Sequence, residues 1–306
     1  MYPLETSKRS CYIETMAKPK PPTRKDFDKR FPDDDACLEH LKQVRFGARS
    51  ECEKCGKMAT FYRTQGRRSY SCEHCGHHIY PTAGTPFHAS RTSLKDWFFV
   101  MFLFCASRNG VAAKEVQRQI GVTYKTAWRM CHMIRLYMGF VDGDYPVGGG
   151  GLGNVEVDET FIGGRDEKGK DDKMVAWGAI ERGGDIVTRH TRSRKQRAIH
   201  QLMIRWVKPS ARVMTDEAQV YKYPPHQFEK VEHVNHRAKE WARGDVHTNN
   251  IEAFWNILKR GIKGTYIAVS PRHLQKYLWE FEYRHNMRKA PHLMLDTLLL
   301  AFPKGR

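Results

Sequence analysis

Two Cys-x2-Cys knuckles place the tightest constraint on how this chain can fold. The first, CEKCG, carries Cys52 and Cys55, and the second, CEHCG, carries Cys72 and Cys75, with sixteen residues between Cys55 and Cys72. Each knuckle ends in glycine, which permits the tight turn that points two thiolates at one ion. Four thiolates suit tetrahedral zinc, and their closed coordination shell makes such a site structural. The spacing therefore predicts a zinc ribbon.

Two other interpretations of these cysteines compete with a four-cysteine zinc site. A pair of redox CxxC motifs would need a thioredoxin-like βαβ context, which the surrounding sequence lacks. His74, His77 and His78 lie beside the second knuckle and could replace a thiolate, although four cysteines already complete the shell. A ribbon of this kind docks on DNA or on a partner protein, and the sequence leaves both open.

The charge of the chain predicts an anionic partner. Its 52 Lys and Arg residues against 34 Asp and Glu residues give a net charge of +18, and Lys and Arg bind nucleic acid by neutralising phosphates. A membrane surface is the competing partner, but no run reaches the roughly 18 apolar residues of a spanning helix, and WFFVMFLFCA from Trp97 predicts a buried helix instead. The amino terminus lacks the apolar core of a signal peptide, so we expect a cytoplasmic, nucleoid-associated protein without a membrane partner.

Composition and periodicity divide the chain into four expected segments. They are a basic disordered tail (1–30), a zinc-ribbon region (31–88), a helical, helix-turn-helix-like DNA-binding domain (89–145) and an α/β domain (146–306). In the last segment the patterns predict three strands, a helix, two strands and a further helix, with a hairpin turn at Gly183 and Gly184. This order is that of a ribonuclease-H-like domain, a mixed sheet flanked by helices.

The helical segment has the spacing of a helix-turn-helix. A helix is predicted over about residues 112–119, then a turn at Gly121 and a second helix from about Tyr124. In this motif the second helix enters the major groove of DNA. A plain three-helix bundle would show the same spacing, but the basic balance of the chain favours DNA binding. The residues expected to meet bases or phosphates are Thr123, Tyr124, Lys125 and Arg129.

Three carboxylates follow in the α/β segment. Asp158 shares a strand face with Glu156 and Thr160, Asp216 ends an apolar strand, and Glu252 lies on a helix. Each alone has an ordinary explanation, such as a turn cap or a salt bridge. Together they could hold two Mg²⁺ or Mn²⁺ ions about 4 Å apart, the arrangement needed for in-line attack at phosphate.

A basic residue falls on the same helix face as Glu252. Lys259 follows two helical turns later, which is too far for an i,i+4 salt bridge. It is therefore predicted to hold the phosphate of a DNA end beside the metal ions, with Arg260 and Lys263 as further DNA contacts. The spacing of Trp255 on this helix is chiefly that of a core residue.

These motifs stand in an ordered series of blocks that resembles a known family. From about Phe31 the chain is similar to bacterial insertion-sequence transposases of the DDE type, in the ISXO-like branch with an amino-terminal zinc ribbon. The blocks are FPDDDACLEHL, TAGTPFHASRTSL, VEVDETFIGG, VMTDEAQVYKY, VNHRAKEWARGDVHTNNIEAFWNILKRGIKGTY and YLWEFEYRHNMRK. One departure is the loop at residues 165–173, which is short and partly acidic where a longer basic segment is expected.

The resemblance implies a ribonuclease-H-like catalytic core with Asp158, Asp216 and Glu252 as the metal-binding triad and Lys259 as an additional basic residue. The implied enzyme is a transposase that cleaves the ends of its element and joins the freed 3′-hydroxyl to target DNA. Its partners would be double-stranded terminal inverted repeats and target DNA, and synapsis of two ends requires a homodimer or larger assembly. Two alternatives are a domesticated DNA-binding regulator without cleavage activity and a ribonuclease-H-like nuclease that cuts without joining.

Overall fold

The computed structural model describes residues 20–143, 145–149, 153–163, 173–216, 219–228, 230–234 and 242–300. Residues 1–19 of the expected tail lie outside these ranges, as do residues 164–172, which include most of the partly acidic loop. The helices are α1 (Arg24–Arg30), α2 (Asp34–Phe46), α3 (Leu94–Ala106), α4 (Ala113–Ile120), α5 (Tyr124–Asp142), α6 (Gln196–Trp206), α7 (Asn249–Gly261), α8 (Leu274–Asn286) and α9 (Met294–Leu300). The strands are β1 (Ser50–Glu51), β2 (Met58–Ala59), β3 (Phe61–Arg63), β4 (Tyr70–Cys72), β5 (His78–Ile79), β6 (Asn154–Ile162), β7 (Met174–Glu181), β8 (Ile186–Thr191), β9 (Arg212–Asp216) and β10 (Val231–Val234).

The structure corrects the expectation of a disordered tail up to residue 30, because helix α1 occupies its end. Thr23 and Asp26 form a capping box, in which the Asp26 amide donates to Thr23 Oγ1 at 3.3 Å. Phe27 is buried, with its ring centroid 5.3 Å from that of Phe102. The Lys- and Pro-rich composition predicts disorder, but the capping box and the buried Phe27 ring stabilise a helix there.

The ribbon is built from two small antiparallel units and shares a core with the helices. Strand β1 pairs with β2, and β3, β4 and β5 form a three-stranded sheet. Its buried Phe61 and Tyr70 belong to the same apolar cluster as Phe98 of α3 and Leu298 of α9. The ribbon is therefore packed against the helical segment through a continuous core.

Helices α3 to α5 match the predicted helical segment. Helix α3 is the expected buried helix, with Trp97 and Phe98 fully buried. Gly121 ends α4 in the left-handed conformation at φ 69°, and Thr123 caps α5 by accepting the Thr126 amide at 3.3 Å. None of the helices in the described part of the chain combines the length and the apolar character needed to cross a bilayer.

The α/β segment forms a mixed five-stranded sheet with the order β10-β9-β6-β7-β8. Strands β6, β7 and β8 are antiparallel neighbours, whereas β9 runs parallel to both β6 and β10. Helix α6 covers one face, where Val157 packs in the cluster of Ile199. Helices α7 and α8 cover the other, where Ile162 packs in the cluster of Ile251. The predicted order of strands and helices and the hairpin turn at Gly183 are confirmed.

A buried polar junction joins α5 to α8. The Arg135 guanidinium donates to Glu280 Oε2 at 2.6 Å, with both side chains almost fully buried. The Tyr266 hydroxyl donates to the other Glu280 oxygen at 2.5 Å. Nearby, Gly139 lets the two helices approach closely, since a Cβ there would lie 2.5 Å from the Trp279 ring. The junction fixes the helical segment against the sheet.

Candidate active site and metal centre

The four knuckle cysteines converge on one point. The Sγ atoms of Cys52 and Cys75 are 3.6 Å apart, those of Cys55 and Cys72 are 4.0 Å apart, and all four lie within 4.8 Å of one another. A tetrahedral zinc ion with 2.3 Å bonds places its sulfur ligands about 3.8 Å apart. The spacing of the thiols therefore fits a structural zinc ion, as the sequence predicted.

The two knuckles are built alike. Gly56 and Gly76 have positive φ angles of 67° and 68°, and their amides donate to the carbonyls of Cys52 and Cys72 at 2.8 and 3.0 Å. Only glycine adopts this conformation without strain, so each glycine turns the chain back beneath its thiol pair. His78 points elsewhere, with its Nδ1 3.4 Å from the Ser69 hydroxyl.

The structure brings the three predicted carboxylates near one another beside the central strand β6. Strands β6 and β9 are paired in parallel with Glu156 opposite Met214, and Asp158 and Asp216 each follow two residues later. The two aspartates therefore continue this register on neighbouring strands. Glu252 lies in the first turn of α7, which packs on the β6 face that carries Asp158. All three side chains are half-buried.

The surroundings of Asp158 change its ionisation. Burial, followed by the negative charges of Asp216 and Glu159 and a smaller effect of Glu252, raises the pKa of Asp158 to about 7. Such repulsion is relieved when cations occupy the site. Among the described residues, only the four cysteines offer three or more ligand atoms that all lie within 4.8 Å of one another. The three carboxylates are therefore more widely spaced than the thiols.

An indole orients Asp158. The Nε1 of Trp255 donates to Asp158 Oδ2 at 3.1 Å, and the side chain of Trp255 is buried. Gly178 of β7 pairs with Asp158 of β6. It makes room for the Trp255 ring, because a Cβ at Gly178 would lie 2.9 Å from that ring. Sequence periodicity identified Trp255 only as a core residue and could not indicate this second role.

Glu156 attaches α7 to β6. Its side chain is fully buried, and its Oε2 accepts the backbone amides of Asn250 and Ile251 at 2.8 and 3.1 Å. Its Oε1 accepts the Arg182 Nε at 2.7 Å. A carboxylate at a helix N-terminus satisfies amides that have no partner within the helix. Glu156 thus holds the turn that carries Glu252, a role that sequence reasoning missed although Glu156 shares a strand face with Asp158.

The next acid on β6 is held away from this cluster. Glu159 accepts the Tyr221 hydroxyl at 2.5 Å and an Arg194 nitrogen at 3.3 Å. Burial raises its pKa above the ordinary value. Because alternate residues of a strand point to opposite faces, Glu159 lies on the α6 side while Asp158 faces α7.

The predicted basic residues lie further along α7 and just beyond its end. Lys259 is half-buried two helical turns from Glu252, which places it roughly 10 Å further along the helix axis. Arg260 and Lys263 are exposed, the latter in the π-helical turn Ile262–Tyr266 that follows α7. The Thr248 hydroxyl donates to Glu252 Oε1 at 2.8 Å and fixes that side chain.

The residues predicted to contact DNA at the second helix of the motif lie at the exposed start of α5. Thr123, Tyr124, Lys125 and Arg129 are all solvent-exposed. Sequence reasoning missed their neighbour Trp128, whose side chain is 38% exposed. Exposure of a tryptophan one turn into this helix could not be anticipated from helical spacing.

Comparison with known proteins accounts for most of the chain. Residues 32–78 match the transposase zinc-ribbon domain, and residues 151–286 match the ISXO2-like transposase domain. The chain is also 24% identical over 289 residues to an uncharacterized protein in transposable element ISH50 of Halobacterium salinarum, covering 86% of this chain and 94% of that protein. The chain therefore carries a transposase zinc-ribbon domain followed by an ISXO2-like transposase domain.

Proposed function

We propose that this protein is a DNA transposase that cleaves the ends of an insertion sequence and joins them to target DNA at a ribonuclease-H-like, two-metal site. The observation that carries the proposal is the placement of Asp158 and Asp216 in register on parallel strands with Glu252 on the helix packed against them. The sheet order, with three antiparallel strands extended by two parallel ones, is the arrangement expected of that fold. Asp158, Asp216 and Glu252 are the proposed metal ligands.

The protein groups in this proposal position the reacting atoms. Mg²⁺ or Mn²⁺ bound at the carboxylates would activate the attacking oxygen and neutralise the leaving oxygen. Trp255 keeps the Asp158 carboxylate oriented through its 3.1 Å hydrogen bond, and Thr248 does the same for Glu252. Lys259 holds the phosphate that is attacked, as a cation does at a developing negative charge. In the first step water attacks the phosphorus at the element end, and the 3′-oxygen leaves as a free hydroxyl. In the second step that hydroxyl attacks a phosphorus of target DNA, and the 3′-oxygen of the target strand leaves.

DNA is held outside the carboxylate cluster in this account. Arg260 and Lys263 contact phosphates next to the cleavage site, and the start of α5 contacts the terminal repeat through Thr123, Tyr124, Lys125 and Arg129. The segments 31–88, 89–145 and 146–306 act as ribbon, DNA-binding and catalytic domains. Synapsis of two element ends makes the working form a homodimer or a larger assembly.

A joining assay separates this function from its alternatives. Duplexes carrying the flanking inverted repeats are supplied already cut, with Mg²⁺ or Mn²⁺. One substrate ends in a 3′-hydroxyl, and the second ends in a dideoxynucleotide that lacks this hydroxyl. We expect native protein and the half-buried control Glu115→Gln to join the first substrate alone, and Asp158→Asn to bind it without joining. Cutting of uncut repeats without joining would instead identify a nuclease. Binding with no reaction in either metal would identify a DNA-binding regulator.

A further inference from the structure

We propose that element DNA is held by one continuous surface formed by the starts of two helices from different parts of the chain, α5 and α8. This α5–α8 face consists of Tyr124, Lys125, Trp128, Arg129, Arg272 and Lys276. The inference rests on the proposed function in taking double-stranded DNA as the ligand. It adds residues of the α/β segment to a surface that the helix-turn-helix spacing confined to α5.

Ring contacts join the two halves of the face. The Trp128 ring centroid lies 3.8 Å from that of His132 and 5.4 Å from that of His273, and the two histidine rings are 4.6 Å apart. His273 immediately precedes α8, so this contact sets Arg272 and Lys276 beside the exposed side of α5. His132 is only 4% exposed, which leaves Trp128 as the exposed ring at the seam.

The charge of the face is of one sign. Residues 253–279 contain no Asp or Glu, and residues 124–141 contain none. The first acid of α8, Glu280, is fully buried and bonded to Arg135. No carboxylate of these two runs therefore offsets the positive charge of Lys125, Arg129, Arg272 and Lys276. Two acid-free runs that are distant in sequence are packed side by side.

Crowding of cations on this face favours an anionic ligand. Burial lowers the pKa of Lys276, and the positive charges of Arg272 and Arg135 lower it further, so Lys276 and Arg272 repel each other on this face. A phosphate backbone supplies negative charges along both helix starts. The exposed Tyr124 and Trp128 add flat apolar surface for sugars and base edges. The combination fits duplex DNA better than a small anion.

The face also links DNA binding to the catalytic helix. Helix α8 follows α7 through the π-helical turn Ile262–Tyr266, and Tyr266 donates to Glu280 within the junction that holds Arg135 of α5. DNA bound across both helix starts is therefore fixed relative to Glu252 on α7.

Charge reversal tests the face. Full-length, zinc-loaded protein carrying Arg272→Glu and Lys276→Glu is titrated with a labelled duplex of the flanking repeat over a range of KCl concentrations. We expect the Kd to rise at least tenfold and the slope of log K against log salt to fall by about 2, since each phosphate contact contributes about 0.9. The double variant Arg272→Ala with Lys276→Ala should also raise the Kd, but by less. Thermal unfolding checks that both double variants fold.

The matched control carries the same change of charge on the opposite layer of the sheet. Arg197→Glu with Arg205→Glu alters two exposed residues of α6, and we expect it to retain most of the native affinity. Native affinity in the α8 double variant, or an equal loss in the α6 control, would overturn the proposed face.

The joining assay keeps this inference separate from the proposed function. Native protein that binds the repeat through the α5–α8 face but joins nothing in either metal would remove the transposase proposal and leave the face intact. Native joining together with unchanged binding by the α8 double variant would remove the face alone.

Discussion

At the scale of single residues, Glu156 determines how the helix that carries Glu252 meets the strand that carries Asp158. We expect Glu156→Ala to abolish joining or to raise strongly the Mg²⁺ concentration needed for half-maximal joining. The substitution removes the acceptor of the Arg182 Nε and of two backbone amides of α7, a loss of up to about 3 kcal/mol, because Arg182 keeps the carbonyls of Asp245 and His247. The measurement is a Mg²⁺ titration of the joining reaction, with urea unfolding in parallel.

The conservative variant distinguishes positioning from bulk stability. Glu156→Gln keeps one acceptor oxygen, so we expect intermediate Mg²⁺ dependence and intermediate stability. If both variants fold and show the native Mg²⁺ dependence, Glu156 does not position the catalytic turn.

The pKa of Asp158 gives a second prediction at this scale. It is raised to about 7 from an ordinary value of 3.8, so between these values the folded protein binds a proton that the unfolded chain does not. Stability without divalent cations therefore falls as pH rises through this window. Asp158→Asn removes that loss, and we expect the variant to be more stable than the native protein at about pH 8, by on the order of 1–3 kcal/mol.

Thermal unfolding across pH measures this difference. The advantage of Asp158→Asn should shrink as the pH falls towards 4, because the carboxyl is then protonated in the folded state and increasingly protonated in the unfolded state. Added Mg²⁺ should also reduce it at about pH 8, because the ion stabilises the native carboxylates. A difference that stays constant from pH 5 to pH 8 would contradict the raised pKa.

At the scale of elements, the ribbon is coupled to the helices through a shared core. Cys72 belongs to the same apolar cluster as Phe98 of α3, so loss of zinc should loosen more than the ribbon. We expect Cys72→Ser to remove one equivalent of bound zinc and to lower the melting temperature of the whole chain by several degrees. Metal analysis and calorimetry check both, with the buried but non-ligating Cys131→Ser as the control.

The same elements show what the sequence could and could not predict. Alternating strands, a glycine hairpin and two glycine-ended knuckles are local patterns, and each formed where it was predicted. Helix α1 was not predicted, because its stability depends on tertiary burial of Phe27 rather than on composition. The hydrogen-bond partners that Asp158 and Glu156 have on α7 are more than ninety residues away in the sequence. Such contacts are set by packing and leave no periodic trace.

At the scale of the whole molecule, charge and topology work together. The net charge of +18 predicted an anionic partner, but charge alone could not locate the binding surface. The packing of α5 on α8 supplies that information, since it places two acid-free runs side by side. The triad could be proposed from sequence because Asp158 lies in a recognisable strand, Asp216 ends one and Glu252 lies on a recognisable helix. Its assembly beside β6 depends on the parallel pairing of β6 with β9.

The most direct test of this account compares native protein with Glu252→Gln on labelled DNA carrying the flanking element ends. Cleavage, joining and binding are measured in parallel with Mg²⁺ and with Mn²⁺. We expect the native protein to cut and join, and the variant to bind with native affinity while doing neither, because the amide is a poor ligand for these ions. A Glu252→Gln variant that cuts and joins at the native rate would contradict the assignment of the triad.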